Sequence, residues 1–194
     1  MPASEHPARE RMVYSAAQLV REQGVAATGV RDVVRRADAP RGSFQHYFPG
    51  GKDQLVGEAV VWSGRYAADW VRRYRAEARR PSAEGLLAHV VKPWKQELLR
   101  RDFQRGCPLM AAAGDLAGGQ SPVTDSLRAA ATDWEAALRT ELSALGVPAR
   151  SARSLASLIL SALEGAIMLA RVHRDVAPLT TVVRELTPLL AAHR

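Results

Sequence analysis

The sequence has little of what marks a secreted or membrane-bound protein. It contains one cysteine, Cys107, so it can form no internal disulfide, and a lone thiol fits a reducing compartment. Its N-terminus lacks a continuous apolar stretch, and its most apolar segment, Leu155 to Val172, is interrupted by serine, glutamate and arginine. We therefore expect no secretory leader and no membrane span, a cytoplasmic protein, and a buried helix in this segment.

Lysine and aromatic residues are also scarce. Aromatics make up 6% of the 194 residues, and 27 Lys+Arg exceed 20 Asp+Glu for a net charge of +7. Such a balance suits a polyanionic partner but does not identify one. The histidines and Cys107 show no metal-ligand spacing, and the sequence has no nucleophile–base motif or phosphate-binding glycine loop. We therefore expect no cofactor, no metal and no enzyme activity.

Helical periodicity runs through the chain, and no segment has the alternation of a strand. Proline and glycine divide the pattern into about nine helices with short connections, which predicts an all-α fold. After a first helix at 8–23 and two short ones between 28 and 48, the predicted helices span about 52–80, 82–101 (with a kink or step at Pro93), 109–116, 123–145, 149–173 and 179–193.

The stretch from Thr28 to Lys52 predicts two short helices joined by a tight turn. Thr28 suits the N-cap of the first helix, because its hydroxyl can accept a backbone N–H. The run Asp38-Ala39-Pro40 stops that helix, since the residue before proline is disfavoured in the α region. In the second helix Phe44 and Phe48 face inward, which turns the polar residues between them outward. The pair predicts a helix-turn-helix, whose second helix has the size to enter a DNA major groove.

This stretch resembles the DNA-binding motif of the TetR family of one-component repressors. That family's pattern runs from a threonine through a Val/Ile-Ala-type helix and a small-residue turn to Gly-x-Leu-Tyr-x-His-Phe and a lysine. The matching residues are Thr28, Val33, Val34, Ala37, Gly42, Phe44, Tyr47, Phe48 and Lys52. The departures are Asp38 where glycine is common, Gln45 where tyrosine is usual and Tyr47 where histidine is usual. The Pro-Gly-Gly-Lys ending, the Gly106-Cys107-Pro108 segment and the helix ending ALEGAIMLARVHRD are similar to the LmrA/YxaF-like branch.

The resemblance implies a helix-turn-helix DNA-binding domain at residues 1–51 and an effector-binding and dimerisation domain at 52–194. It implies a ligand-responsive repressor that binds a palindromic operator as a homodimer. The dimer is expected to form through the last two helices, and a small hydrophobic or aromatic effector is expected to release the repressor from the operator. The helix from Lys52 is the expected lever, since it belongs to both domains. A helical small-molecule-binding module without specific DNA recognition is the alternative, and Gln45 is its best support.

The predicted DNA contacts fall into two groups. Arg41 can read the acceptor edge of a guanine, whereas hydroxyl, imidazole and ammonium groups suit phosphates. Each of these residues could instead be a solvent-exposed polar group or a cap. The predicted DNA-binding residues are Thr28, Arg41, Gly42, Ser43, Gln45, His46, Tyr47 and Lys52.

The resemblance implies an effector cavity enclosed by large apolar residues of these helices, although such residues are more often ordinary core. Glu164 lies in the middle of an apolar helix and needs a partner there. It either pairs with a donor in the core or dimer interface, or orients the effector. Cys107 is expected to be a small buried hydrophobe rather than a redox sensor. The predicted effector-binding residues are Trp62, Tyr66, Trp70, Trp94, Phe103, Met110, Trp134, Glu164 and Met168.

Overall fold

The computed structural model describes residues 7–40, 42–115 and 121–193, and within them every element is a helix. The nine helices of this part of the chain confirm the predicted all-α fold. Their bounds are α1 Ala8–Ala27, α2 Val30–Arg36, α3 Ser43–Tyr47, α4 Gly51–Glu77, α5 Ala83–Arg100, α6 Pro108–Asp115, α7 Pro122–Ala144, α8 Ala149–His173 and α9 Ala177–Ala191.

Local signals account for several helix ends. The Ser82 hydroxyl accepts the Gly85 N–H at 3.1 Å and caps α5. After α7 the chain turns at Gly146, whose φ of 95° lies in the left-handed region that glycine favours. Pro93, expected to kink or step its helix, lies inside one continuous α5, so the chain makes no step there. Burial of that helix's apolar side offsets the one backbone hydrogen bond that a proline removes.

The end of α1 differs from the expectation. The helix continues past Gln23 to Ala27, interrupted at Gly24, which has a φ of 82° and a ψ of 175°. Thr28 follows this last turn, and its hydroxyl donates to the Gly24 carbonyl at 2.6 Å. The prediction that Thr28 caps α2 is therefore wrong, and Gly29 occupies the N-cap. Thr28 is only 1% exposed, so its hydroxyl needs an internal partner and finds one.

Packing divides the chain into two compact units. The first comprises Met1–Arg65 and Cys107–Ala131, and the second comprises Tyr66–Gly106 and Thr132–Arg194. The chain passes between the units at three points, within α4, within α7 and in the connection from α5 to α6. The functional boundary between residues 51 and 52 stays a prediction, because these units are defined by packing and not by function.

In the first unit α1 packs against α2 and α6. Buried side chains from α1, α2 and the start of α4 close around Phe48, which is itself fully buried. This core fixes both short helices onto α1. Its largest members are Met12, Val13, Leu19, Val33, Val34, Phe48 and Leu55.

In the second unit α5 packs against α8 and α9, which also pack against each other. Leu179 and Leu190 of α9 are buried in this core, and Leu190 is 0% exposed. The last two helices were expected to form the dimer, but Leu190 of α9 belongs to the core of its own chain. The helical repeat alone could not separate these two kinds of apolar face.

Among the described residues, α8 is the one helix that is long and apolar enough to cross a membrane by length and composition. Its most apolar 18-residue window has a mean hydropathy of 1.7, but only 39% of that window is buried. The expectation of a buried helix therefore holds for one face only. The other face carries Leu158, Met168, Leu169 and Val172, all of them exposed.

Candidate nucleic-acid interface and effector site

The turn between α2 and α3 has a defined hydrogen-bond pattern. The Ala39 N–H donates to the Val34 carbonyl at 3.1 Å, and the Asp38 N–H donates to the Arg35 carbonyl at 3.2 Å. Asp38 has a φ of 47°, so it takes the left-handed conformation that glycine usually supplies after a helix. The pattern is a Schellman motif, and it redirects the chain toward α3.

Arg11 of α1 holds this turn from outside. Its Nε donates to the Ala37 carbonyl and its Nη2 donates to the Asp38 carbonyl, both at 2.8 Å. A cation at the carboxyl end of a helix also complements the helix dipole. Helical periodicity gives no sign of this contact, because the two carbonyl groups lie 26 and 27 residues later in the chain.

The inner side of α3 is apolar and anchored. The rings of Phe44 and Phe48 stack with centroids 5.5 Å apart. The guanidinium of Arg9 lies over the Phe48 ring, 5.3 Å from its centroid, and is held by Glu58 through an ion pair at 2.7 Å. At the start of α3 the Ser43 N–H and hydroxyl both donate to the Pro40 carbonyl, at 3.0 and 2.7 Å. The prediction that both phenylalanines face inward is confirmed for Phe48, and Phe44 is half-buried against it.

The outer side of α3 is polar and open. Gly42, Gln45 and His46 are exposed, while Ser43 and Tyr47 are half-buried. Gln45 makes one weak contact, from its Nε2 to the Pro49 carbonyl at 3.4 Å. Side chains with spare donors therefore cover the face that a major groove would meet.

Three further predicted DNA-binding residues have other surroundings. Lys52 is half-buried, and its Nζ donates to the Ala26 carbonyl at 3.2 Å. Thr28 is buried and its hydroxyl donates to the Gly24 carbonyl, so this hydroxyl is not available to a phosphate. Arg41 lies outside the described residues.

Two of the predicted effector residues, Trp62 and Met110, lie in the first unit and are exposed. The Trp62 ring meets Tyr14 edge to face with centroids 5.5 Å apart. Trp62 also borders an open cleft of about 570 Å³ that is lined by charged residues such as Glu58 and Arg65. An enclosed apolar site is therefore the wrong description of the surroundings of Trp62.

In the second unit, Tyr66 is 58% exposed and Met168 is 51% exposed, so the expectation that they are enclosed is wrong for the single chain. Trp70 is committed to a structural contact with α5. Its ring stacks on His89 at 4.4 Å, and its Nε1 donates to the His89 carbonyl at 3.0 Å. Helical spacing placed all three residues on apolar stripes, but it could not show what covers each stripe.

Trp94 and Trp134 form an aromatic pair inside the second unit. Their ring centroids are 6.4 Å apart, with an angle of 25° between the planes. Trp134 is 2% exposed, and its indole N–H finds no acceptor among the described residues. Most buried N–H groups in proteins have a partner, so this donor is unusual.

The remaining predicted effector residues lie around the same unit. Phe103 is half-buried under the guanidinium of Arg174, 5.7 Å from its ring centroid. Arg174 also forms an ion pair with Asp102, and that hydrogen bond holds the pKa of the Asp102 carboxyl below its ordinary value. Both carboxylate oxygens of Glu164 are closed off from solvent. Cys107, in the first unit, is buried as expected of a small hydrophobe.

Comparisons with known proteins cover both parts of the chain. Residues 14–59 match bacterial regulatory proteins of the tetR family, and residues 83–185 match the C-terminal domain of LmrA/YxaF-like transcriptional regulators. The chain is 42% identical over 192 residues to an uncharacterized HTH-type transcriptional regulator of Mycobacterium tuberculosis (strain ATCC 25618 / H37Rv), a match that covers 95% of this chain and 94% of the relative. The chain belongs to the TetR family of transcriptional regulators.

Other relatives agree with this TetR-family assignment. The chain is 29% identical over 187 residues to the uncharacterized HTH-type transcriptional regulator YxaF of Bacillus subtilis (strain 168), covering 96% of this chain and 97% of YxaF. A crystal structure of a TetR transcriptional regulator from Legionella pneumophila superposes with a TM-score of 0.80 at 20% identity, covering 96% of this chain and 99% of that one. These matches confirm the resemblance to the LmrA/YxaF branch and the all-α fold.

The family assignment gives the two parts of this TetR-family regulator their general roles. The matched range 14–59 contains α2, the turn and α3, which form the DNA-binding motif. The matched range 83–185 contains Trp94, Trp134 and Glu164, and such domains bind ligands in this family. The protein is therefore a DNA-binding regulator with a ligand-binding domain.

Proposed function

We propose that this regulator is a repressor that binds an inverted-repeat operator as a homodimer and leaves it when a small effector binds. The observation that carries the proposal is the polar, open face of α3 on a firmly packed apolar inner side. A helix held in this way can enter a major groove without losing its own core contacts. Action on chromosomal DNA would make the protein cytoplasmic.

The proposed DNA contacts follow from exposure. Gly42, Gln45 and His46 are open to solvent, and Ser43 and Tyr47 border them, so these five are the proposed contacts of α3. Arg41 precedes them in the sequence and remains the predicted reader of a guanine edge. Lys52 is the proposed phosphate contact at the start of α4, since an ammonium group has donors to spare beside the Ala26 carbonyl.

The proposed dimer uses the outer faces of α8 and α9. Along α8 the exposed apolar positions and the small residues between them recur at intervals of three and four, which makes one stripe. The stripe consists of Leu158, Ser161, Ala162, Gly165, Met168, Leu169 and Val172. A side chain added at Gly165 would meet nothing within 4 Å in this chain, so the centre of the stripe is open to a close helix approach.

Pairing of two such stripes would remove an exposed apolar face of this chain from water. With Leu189 of α9, which is also exposed, two helices from each subunit can form a four-helix bundle around a two-fold axis. A two-fold dimer presents two α3 helices to successive major grooves, which requires an inverted repeat.

The proposed effector contact is the indole N–H of Trp134. Because this buried donor finds no acceptor in the described part of the chain, an effector that carries a hydrogen-bond acceptor would satisfy it. The adjacent Trp94 ring offers an aromatic surface for the apolar body of the same molecule. A small, largely apolar or aromatic molecule with one acceptor oxygen or nitrogen fits both features.

Operator binding tests the proposal. Purified protein is titrated against the duplex upstream of its own gene and against a scrambled duplex of equal length, at several salt concentrations. We expect preferential binding to the first duplex and a steep fall of affinity with salt, because many contacts go to phosphate. Equal affinity for both duplexes would favour the alternative, a helical ligand-binding module without specific DNA recognition.

A further inference from the structure

The segment that joins α1 to α2 is bonded to a distant carboxylate. After the break at Gly24 the chain makes one short turn, which leaves the N–H groups of Val25 and Ala26 without helical acceptors of their own. Both donate to the same oxygen, Oδ2 of Asp115, at 2.5 and 3.0 Å. Asp115 is 90 and 89 residues away in sequence, so the contact is tertiary.

The contact with the Val25 and Ala26 N–H groups is what stabilises the charge of the Asp115 carboxylate at this position. Asp115 is the last described residue of α6, and a negative charge is unfavourable near the carboxyl end of a helix. The two free N–H groups supply the opposite partial charge. Gly24 is fitted to the same contact, since an added Cβ would stand 2.7 Å from Asp115 Oδ2 and its φ of 82° strains other residues.

The same short segment is also tied to the helix-turn-helix. The Ala26 carbonyl accepts the ammonium of Lys52 at the start of α4, at 3.2 Å. The Gly24 carbonyl accepts the hydroxyl of Thr28, the last residue but one before α2 begins at Val30. Asp115 therefore fixes a segment that contacts both ends of the DNA-binding motif.

We propose that Asp115 is a positioning residue for DNA binding: its carboxylate holds the connection between α1 and α2 in the conformation that presents α3. Asp115 itself touches no DNA in this proposal, so it acts through the backbone of Val25 and Ala26. The inference rests on the proposed operator binding. It adds that the carboxyl end of α6, which packs along α1, sets the strength of that binding.

The direction in which operator affinity changes on Asp115→Ala distinguishes a positioning role of Asp115 from a simple effect of its charge. Asp115→Ala removes one negative charge from a chain of net charge +7, which by electrostatics alone should strengthen DNA binding. We expect the opposite, an operator affinity about tenfold weaker, with an unchanged salt slope because no phosphate contact is lost. The matched control is Asp125→Ala, which removes an exposed carboxylate that pairs with Arg128 three residues later and should bind as tightly as the wild type or more tightly.

Two measurements distinguish a failure of this inference from a loss of folding and from a failure of the proposed operator binding. Asp115→Asn keeps an acceptor oxygen and should bind within about threefold of the wild type. Amide hydrogen exchange without DNA should show faster exchange at Val25 and Ala26 in Asp115→Ala than in the wild type. Unchanged exchange there, or an Asp115→Ala affinity equal to that of Asp125→Ala, overturns the inference. A wild type that binds no operator would overturn the proposed function, while the exchange comparison would still decide the contact.

Discussion

Replacing Trp134 by phenylalanine should separate the two roles that a large buried aromatic residue can have. In the chain without effector, a buried N–H that finds no acceptor lowers the free energy of unfolding by about 1–3 kcal/mol. Phenylalanine removes this donor but leaves the space of the pyrrole edge unfilled. If on the order of 40 Å³ stays empty, a coefficient of roughly 24 cal/mol per Å³ gives a loss near 1 kcal/mol.

The two terms oppose each other, so Trp134→Phe should change the free energy of unfolding by no more than about 1–2 kcal/mol, in either direction. Trp134→Ala should lose about 3–5 kcal/mol. The matched control is Trp70→Phe, because the Trp70 N–H does have an acceptor, the His89 carbonyl. That change removes a hydrogen bond and gains nothing in return, so it should destabilise the protein more than Trp134→Phe does. Urea denaturation followed by circular dichroism at 222 nm measures all three.

Effector response completes the test. Trp134→Phe should bind the uninduced operator like the wild type but need about three- to tenfold more effector for release, the worth of one hydrogen bond. The probes are pairs of small aromatic compounds that differ in one acceptor oxygen. The acceptor should matter for the wild type and not for the variant. A Trp134→Phe protein as destabilised as Trp70→Phe, or an unchanged response to the acceptor, would refute the reasoning.

Three further predictions use the same protein. Leu158→Glu places a charge in the outer stripe of α8 and should give monomers with weak operator binding in sedimentation and gel-shift experiments; a dimer with normal affinity would contradict the proposed interface. Lys52→Ala should weaken binding to all duplexes and reduce the salt slope by about one; an unchanged slope would show that the ammonium serves only the Ala26 carbonyl. Arg174→Ala should raise the pKa of Asp102 toward its ordinary value in an NMR titration, since Arg174 causes its depression. Because a depressed pKa stabilises the fold above the unfolded-state pKa and that contribution is lost as the pH falls, the variant should lose stability at neutral pH and differ less from the wild type in acid.

Local sequence signals predicted the order of the helices and the DNA-binding motif. The bounds of α8 agree with the prediction at both ends, because Pro148 stands at the N-cap and no proline occurs before the left-handed Arg174 that ends the helix. The cap at Ser82 and the inward side of α3 follow from residues within four positions of each other. In each case the interacting residues are close together in the chain, so the local sequence is enough to predict the interaction.

Interactions between residues far apart in the chain could not be predicted from the sequence. The bond from Val25 to Asp115 spans 90 positions and leaves no periodic trace. Helical spacing marked Tyr66 and Leu190 as apolar-face residues alike, yet one is exposed and the other fully buried. Periodicity shows that a helix has an apolar side, whereas the packing of other helices decides whether that side is covered.

Asp38 shows how a departure from the family pattern can be accommodated. A side chain in the left-handed conformation costs about 1–2 kcal/mol for most residues and less for aspartate, which is why glycine is common at this position. Here the two donors of Arg11 reach the carbonyl groups of Ala37 and Asp38, and hydrogen bonds to a charged group contribute roughly 1.5–3 kcal/mol each. The contribution of even one such bond matches the cost of the strained residue. The angle between α2 and α3 is therefore held by a side chain of α1, which makes the first helix part of the DNA-binding apparatus although it need not touch DNA.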